Sequence, residues 1–356
     1  MALLGTLECI RSGNTTPLEN AQGISTYAQE LARTGLRWVW AESGADAVTS
    51  PGWRQGEDVH EFSPALREQA LGRMEDLFDA WHGSKDGLIT CFSAATLTEA
   101  SSPELLRGVR ELAERRGVGY TIHLTQSRLE VESMMRIRGV RPSFYLYTHD
   151  FLGPKLIAAH CRYVDPSEIA LLGNARTVVT HQPAMAANRG VIPPIPALRA
   201  AGCPIAMGTD NNTQDMVEAM RIGLATERIL RDDGTRPQPE DVLEETTIGG
   251  AQALGMERQI GSLEVGKKAD LFVINTQQAQ LVPTTRIVSS FVHNGQPGDI
   301  ETVMVDGKFI MRDHKVLTLD EEAIIAEADR IGRWAWSRLL ETFPSASFPT
   351  RVAPPL

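Results

Sequence analysis

Four polar residues each close an apolar run: His123 in YTIHLTQ, His160 in KLIAAHCRYVD, His181 in TVVTHQP and Asp210 in PIAMGTDNN. If those runs are parallel strands of a barrel, their carboxyl ends share one face, and the four side chains meet there although they are far apart in sequence. Imidazole and carboxylate are borderline donors that suit Zn or Fe, and a coordination position left open makes a nucleophile of bound water near neutral pH. The candidate chemistry is hydrolysis assisted by one divalent metal ion. Alone, His123 would pass for a core histidine satisfied by hydrogen bonds. Its place in the set, opposite an Asp210 that follows Gly208 and Thr209, makes the pair candidate metal ligands. His160 is either a ligand or an acid and base. His181 either touches substrate or pins its loop ahead of Gln182 and Pro183. Asn211 and Asn212 either contact substrate or only make the turn.

The elements that would position these residues alternate between two periods. Stretches with apolar residues three and four apart give way to short runs rich in Val, Ile, Thr and Leu. The runs predict seven strands, at 15–19, 36–41, 88–92, 119–123, 156–160, 177–181 and 204–209. Helices are expected over 2–12, 65–82, 103–116 and 166–172, with Ser102 and Asp165 as N-caps ahead of Pro103 and Pro166. Strand and helix alternating in this way imply a parallel sheet, and seven units without a break favour a closed barrel. Such a barrel takes eight strands, so the first is expected to be missing. No His-x-His occurs anywhere in the chain.

Past Asp241 the texture changes. A helix over 240–254 leads into IGSLEVGKKADLFVINT, RIVSSFVHN and DIETVMVDGKFIMRDHKVL, all expected as short β segments, with a hairpin at Asp306 and Gly307. Residues 320–341 return to helix, and the tail SFPTRVAPPL is expected as an extended strap or a frayed end. The expected divisions are a barrel over 1–255, a small β portion over 256–318, and a C-terminal helix and tail over 319–356.

Composition excludes several classes. A net charge of −10 argues against nucleic acid and anionic membrane surfaces, and favours a small neutral or cationic substrate. The four cysteines form no CxxC pair and read as reduced thiols. No apolar stretch approaches a membrane span and no basic leader opens the chain, so a cytoplasmic location is expected.

The succession of strand-end His123, AHC, THQP and GTDN, followed by TTIGGAQALGMERQIGSLEVGKKADLFVIN and VMVDGKFI, resembles the amidohydrolase superfamily, within it the cytosine deaminase, guanine deaminase and triazine hydrolase branch. The resemblance covers nearly the whole chain. It implies a (β/α)8 barrel with a small β-sandwich, and a metal-dependent hydrolase cleaving a C–N or related bond of a small heterocyclic molecule, as a homo-oligomer. It assigns His123 and Asp210 as metal ligands and His160 and Asp210 as catalytic groups, with His160 also touching substrate; the positions of Gln126, His181 and Asn211 make them candidate substrate contacts beside these. Two departures stand out. The family's His-x-His belongs to the strand expected to be missing, and its deaminases carry Glu where this chain has Gln126, which cannot titrate. Glu130, one helical turn further on, is expected at the surface. The alternative function is a catalytically silent barrel that keeps the scaffold and lacks half of the ligands.

Overall fold

The computed structural model describes residues 1–342. Seven parallel strands lie side by side in chain order: β1 (Leu18–Ala21), β2 (Trp38–Gly44), β3 (Ile89–Leu97), β4 (Tyr120–Leu124), β5 (Leu156–His160), β6 (Val178–His181) and β7 (Ile205–Met207). All seven fall at or within a few residues of the expected runs. Pairing at the first begins early, because the Thr15 and Pro17 carbonyls already accept from the Arg37 and Val39 amides. The links between strands are mostly helical, and the expected caps are in place: the Ser102 hydroxyl accepts from Leu105 N–H at 3.0 Å, and Asp165 forms a capping box with Glu168. Gly117, at φ +73°, ends the helix Pro103–Arg116 in the left-handed conformation that a side chain would strain.

Side-chain alternation splits the sheet into two faces. Trp38 and Trp40 of β2, Ile89 and Cys91 of β3, and Ile122 and Leu124 of β4 join the large core shared with the helices. Val39, Ala41, Phe92, Ala94, Ile157 and Val178 point the other way and form a small second core on the inner face. His123 shares the phase of that inner face.

A second sheet is antiparallel, with β8 (Leu271–Ile274), β9 (Ile300–Val305), β10 (Lys308–Arg312) and β11 (Lys315–Val316) in the order β11-β10-β9-β8. Asp306 and Gly307, both at positive φ, turn β9 into β10 as expected. Val303, Val305, Ile310, Met311 and Val316 belong to the main core, so no apolar boundary separates the sheets.

Two expectations fail here. RIVSSFVHN forms the helix Ile287–Asn294 and not a β segment: buried Phe291 and Val292, with Val288 behind them, lie one helical turn apart on one face. The helix expected over 240–254 is broken at Thr247 into Pro239–Thr246 and Ile248–Ala253. The break lets Gly249 lie against the Ile205 carbonyl at the start of β7, where a Cβ would approach within 3.3 Å. The tail over 347–356 lies outside the described residues.

β1 and β7 are the edges of the seven-stranded sheet and do not pair with each other. Side chains join them instead. Gln214, beyond β7, takes hydrogen bonds at its carbonyl from the Ser12 hydroxyl (2.9 Å) and the Asn14 amide (3.4 Å), and its side-chain amide donates to the Asp210 carbonyl at 2.9 Å. Among the described residues no helix is long and apolar enough to cross a membrane.

Candidate active site

His123, His160 and Asp210 come together at the carboxyl ends of β4, β5 and β7. The His123 and His160 rings stack at 5.4 Å between centroids, 21° from parallel. His160 Nδ1 lies 3.9 Å from Asp210 Oδ2. The backbone is bent to bring them there: Thr125, His160, Cys161 and Asp210 all have positive φ, at +46°, +79°, +49° and +66°. Such conformations cost about 1–3 kcal/mol each outside glycine, and they gather at sites because the surrounding structure over-determines them. At β5 the kink matters most. Strand alternation alone would leave His160 on the same side as Leu156 and Ala158, facing the helices, and the left-handed turn at the strand end re-aims it toward Asp210.

Each group is held from behind. His123 Nδ1 is 2.7 Å from the Thr96 carbonyl, which can only accept, so Nδ1 carries the hydrogen and Nε2 keeps its lone pair. His160 is buried and its Nδ1 has no hydrogen-bond partner. Burial, then the positive charge of its neighbours, pushes its pKa down to about 2, so the ring is neutral throughout the physiological range. Burial also holds His123 below the ordinary imidazole value.

Gln126 sits just past β4. Its N–H and that of Thr125 both donate to the Glu130 carboxylate at 2.9 Å. Glu130 is therefore not the surface residue expected: it is fully buried and closes the loop that follows His123. Glu99, beyond β3, is also buried, and neither of its carboxyl oxygens has a hydrogen-bond partner. Burial raises its pKa to about 7, and the nearby Glu99 charge adds to the burial that raises Glu130 well above the carboxylate range.

Arg162, two residues past β5, has a buried guanidinium. One nitrogen is 3.6 Å from Asp210 Oδ2 and another reaches the Gln126 carbonyl at 3.5 Å. Asn211 is exposed at the lip of an open cleft of about 680 Å³, which it lines with Met185, Asn188, Arg189 and Asn212. His181 stands apart from the trio. Its Nε2 is 3.4 Å from Glu245 Oε2, both groups are buried, and Arg199 pairs with the same carboxylate. The ring lines a small cavity with Pro183, Ile195 and Gly223, within the helix layer.

The donor types fit a divalent ion: a histidine nitrogen with its opposite nitrogen fixed by a carbonyl, an orphaned buried imidazole nitrogen and a carboxylate. Their number does not complete a site. Among the described residues no group of three or more His, Cys, Asp or Glu side chains is gathered closely enough to hold a metal.

The model of the amidohydrolase family matches residues 1–310, and the chain belongs to that family. It is 32% identical over 334 residues to the 5'-deoxyadenosine deaminase of Methanobrevibacter smithii, covering 92% of this chain and 73% of that protein. It is 31% identical over 347 residues to the 5-methylthioadenosine/S-adenosylhomocysteine deaminase of Desulforudis audaxviator, covering 96% and 76%. The fold is that of an adenosine deaminase from Xanthomonas campestris solved with bound zinc, at a TM-score of 0.83 and 24% identity over 96% of this chain and 74% of the other. Atrazine chlorohydrolase from Arthrobacter aurescens, solved with zinc, has a TM-score of 0.81 at 20% identity, over 92% and 75%.

Reading along the sequence singled out strand-end residues and passed over those that act through loops. Thr96, Glu99 and Arg162 were missed, and Arg189 with them. For Arg162 a signal was present: a charged residue two places after a candidate site histidine, in a chain poor in basic clusters.

Proposed function

We propose that the chain is a metal-dependent deaminase that replaces a C–NH2 group of a purine-type heterocycle, carried on a small nucleoside, by C–OH or its keto form, with release of ammonia. The observation that carries the proposal is the meeting of His123, His160 and Asp210 at one end of the sheet of an amidohydrolase whose relatives are named as deaminases. In this reading the sheet belongs to a (β/α)8 barrel over 1–255, the antiparallel strands to a β-sandwich over 256–318, and the helix and tail over 319–356 pack on the barrel. The protein works in the cytoplasm, where four buried free thiols stay reduced, and as a homo-oligomer.

His123 through Nε2 and Asp210 would hold one divalent ion, Zn or Fe, in a sphere completed by donors beyond this pair. Bound there, the ion lowers the pKa of water toward neutrality. The rest is the work of the side chains. Asp210 accepts the proton of the attacking water and returns it to the departing nitrogen, because Gln126 has no proton to shuttle. His160, held neutral, hydrogen-bonds to the developing oxygen or to the substrate ring. Gln126, fixed through its backbone by Glu130, orients the heterocycle, and Asn211 touches substrate at the lip of the cleft. His181 supports the wall through Glu245.

The test is ammonia release from 5'-deoxyadenosine, 5-methylthioadenosine and S-adenosylhomocysteine by the zinc-loaded chain. Turnover of at least one is expected, falling about 10²–10⁴-fold in Asp210→Asn. No release from any of them with zinc present would leave the silent scaffold as the better account.

A further inference from the structure

Beneath the turn that carries Gln126, the fold gathers buried polar groups and leaves them unsatisfied. β3 and β4 leave the sheet side by side, with Leu97 opposite His123, so Thr98 and Glu99 run on beside Leu124 and Thr125. Thr98, Glu99 and Thr125 are each at most 1% exposed, and the two hydroxyls and both carboxyl oxygens of Glu99 have no hydrogen-bond partner. Glu130 reaches the same turn from the helix Arg128–Arg138, where its two oxygens take the Thr125 and Gln126 amides at 2.9 Å. The Thr98 hydroxyl and the Glu99 charge both act on Glu130. The loop 46–63 comes against the first turn of that helix: a Cβ added at Gly56 would approach the Leu129 Cβ within 2.4 Å. From that loop the Gln55 amide acts on Glu99 without closing a hydrogen bond. Two carboxyl groups thus lie together, and no Lys, Arg or His among the described residues forms an ion pair with either. The arginines on that helix and past β5 are engaged elsewhere: Arg136 pairs with Asp58, Arg138 donates to the Val59 carbonyl, and Arg162 reaches the Gln126 carbonyl. A buried carboxylate without a partner is costly, and orphaned buried oxygens point to a ligand or an ordered water.

We infer that Glu99, Glu130, Thr98 and Thr125 form a site for a hard, oxygen-bound cation of the sodium, potassium or calcium kind, separate from the donor set of His123 and Asp210. Every donor is oxygen, which suits those ions and not the zinc that imidazole favours. Only two of the donors are carboxylates, so hydroxyls and water complete the sphere. A proton is the competing occupant. It neutralises one carboxyl and satisfies one of the four free oxygens, whereas a cation meets several at once and offsets the charge of both acids. With the cation in place, the turn that presents Gln126 is tied to the end of β3 as well as to its own helix. The inference stands apart from the deaminase reading, because it concerns what holds the turn and not what the cleft turns over.

The experiment is thermal melting of the full chain at about pH 8 in the chlorides of sodium, potassium, calcium and N-methylglucamine, at one ionic strength. At least one metal cation should raise the melting temperature by about 2 °C or more over N-methylglucamine, in a manner that saturates with concentration. The cation with the largest rise identifies the occupant. The rise should vanish in Glu99→Gln and persist in Asp210→Asn, which separates it from any ion held beside His123. If Glu99→Gln does not fold, Thr98→Val carries the test, and the concentration for half the rise should increase about threefold or more. Equal melting in all four salts overturns the site and assigns the cluster to a proton or to water. A rise that survives Glu99→Gln, or one that Asp210→Asn removes, places the cation elsewhere and overturns the inference as well. So does an unshifted half-point in Thr98→Val where that variant carries the test.

Discussion

Arg37 and Arg162 are equally hidden, each with a side chain 4% exposed, yet their surroundings differ in kind. Arg37 sits just ahead of β2 and makes a two-pronged contact with Asp270, at 2.7 and 3.0 Å, and Asp270 also accepts from the Asp306 amide at 2.8 Å. Both carboxylate oxygens of Asp270 are taken, and the cluster pins the antiparallel sheet to the parallel one. Arg162 has no such fork. Around it lie positive-φ His160, Cys161 and Asp210 and an imidazole nitrogen without a partner. Where burial serves only the fold, charges are paired to completion. Where a ligand is to be met, bonds are left open and the fold carries the cost.

Removing charges from each region separates the two. The largest expected effect is Arg37→Ala, which leaves Asp270 buried without its partner and should cost about 3–5 kcal/mol of stability in a urea titration. Glu99→Gln should act in the other direction. Glu99 titrates near 7 in the folded protein against an ordinary value of 4.5, so the folded state binds the extra proton between those pH values and stability falls as pH rises through them. The variant should therefore match the parent below pH 4.5 and exceed it by about 3 kcal/mol above pH 7. A constant difference across that range would mean that Glu99 is paired after all. His181→Asn, which weakens a contact that Glu245 shares with Arg199, should cost about 1 kcal/mol and leave substrate affinity unchanged. Arg162→Met is expected to change stability by less than about 1 kcal/mol, since it removes a charge without a close partner. A loss as large as that of Arg37→Ala would erase the contrast.

The strands were readable because each is an apolar run bounded by polar residues, and β5 ends at the expected His160. The helix Ile287–Asn294 was not, because an eight-residue apolar segment fits either period and only its packing under the helix Pro239–Thr246 decides. The meeting of His123, His160 and Asp210 was readable from strand topology. The burial of Glu130 was not, since an Asx-like loop tightening back on its own carboxylate leaves no periodic trace. Arg162 lies on a loop whose direction is set by left-handed turns at His160 and Cys161, and Glu130 closes a loop that Thr125 turns in the same way. Non-glycine residues give no warning of such turns.

The clasp at Gln214 has a mechanical consequence. β1 and β7 are joined by side-chain bonds across more than 200 residues of sequence, with no ladder of backbone amides between them, so this seam is the weakest line around the sheet. The same glutamine holds the carbonyl of Asp210. Any tilt of the first helix against β7 is thus transmitted directly to the carboxylate on which the chemistry turns, and the amides flanking the seam should be the first of the sheet to exchange with solvent.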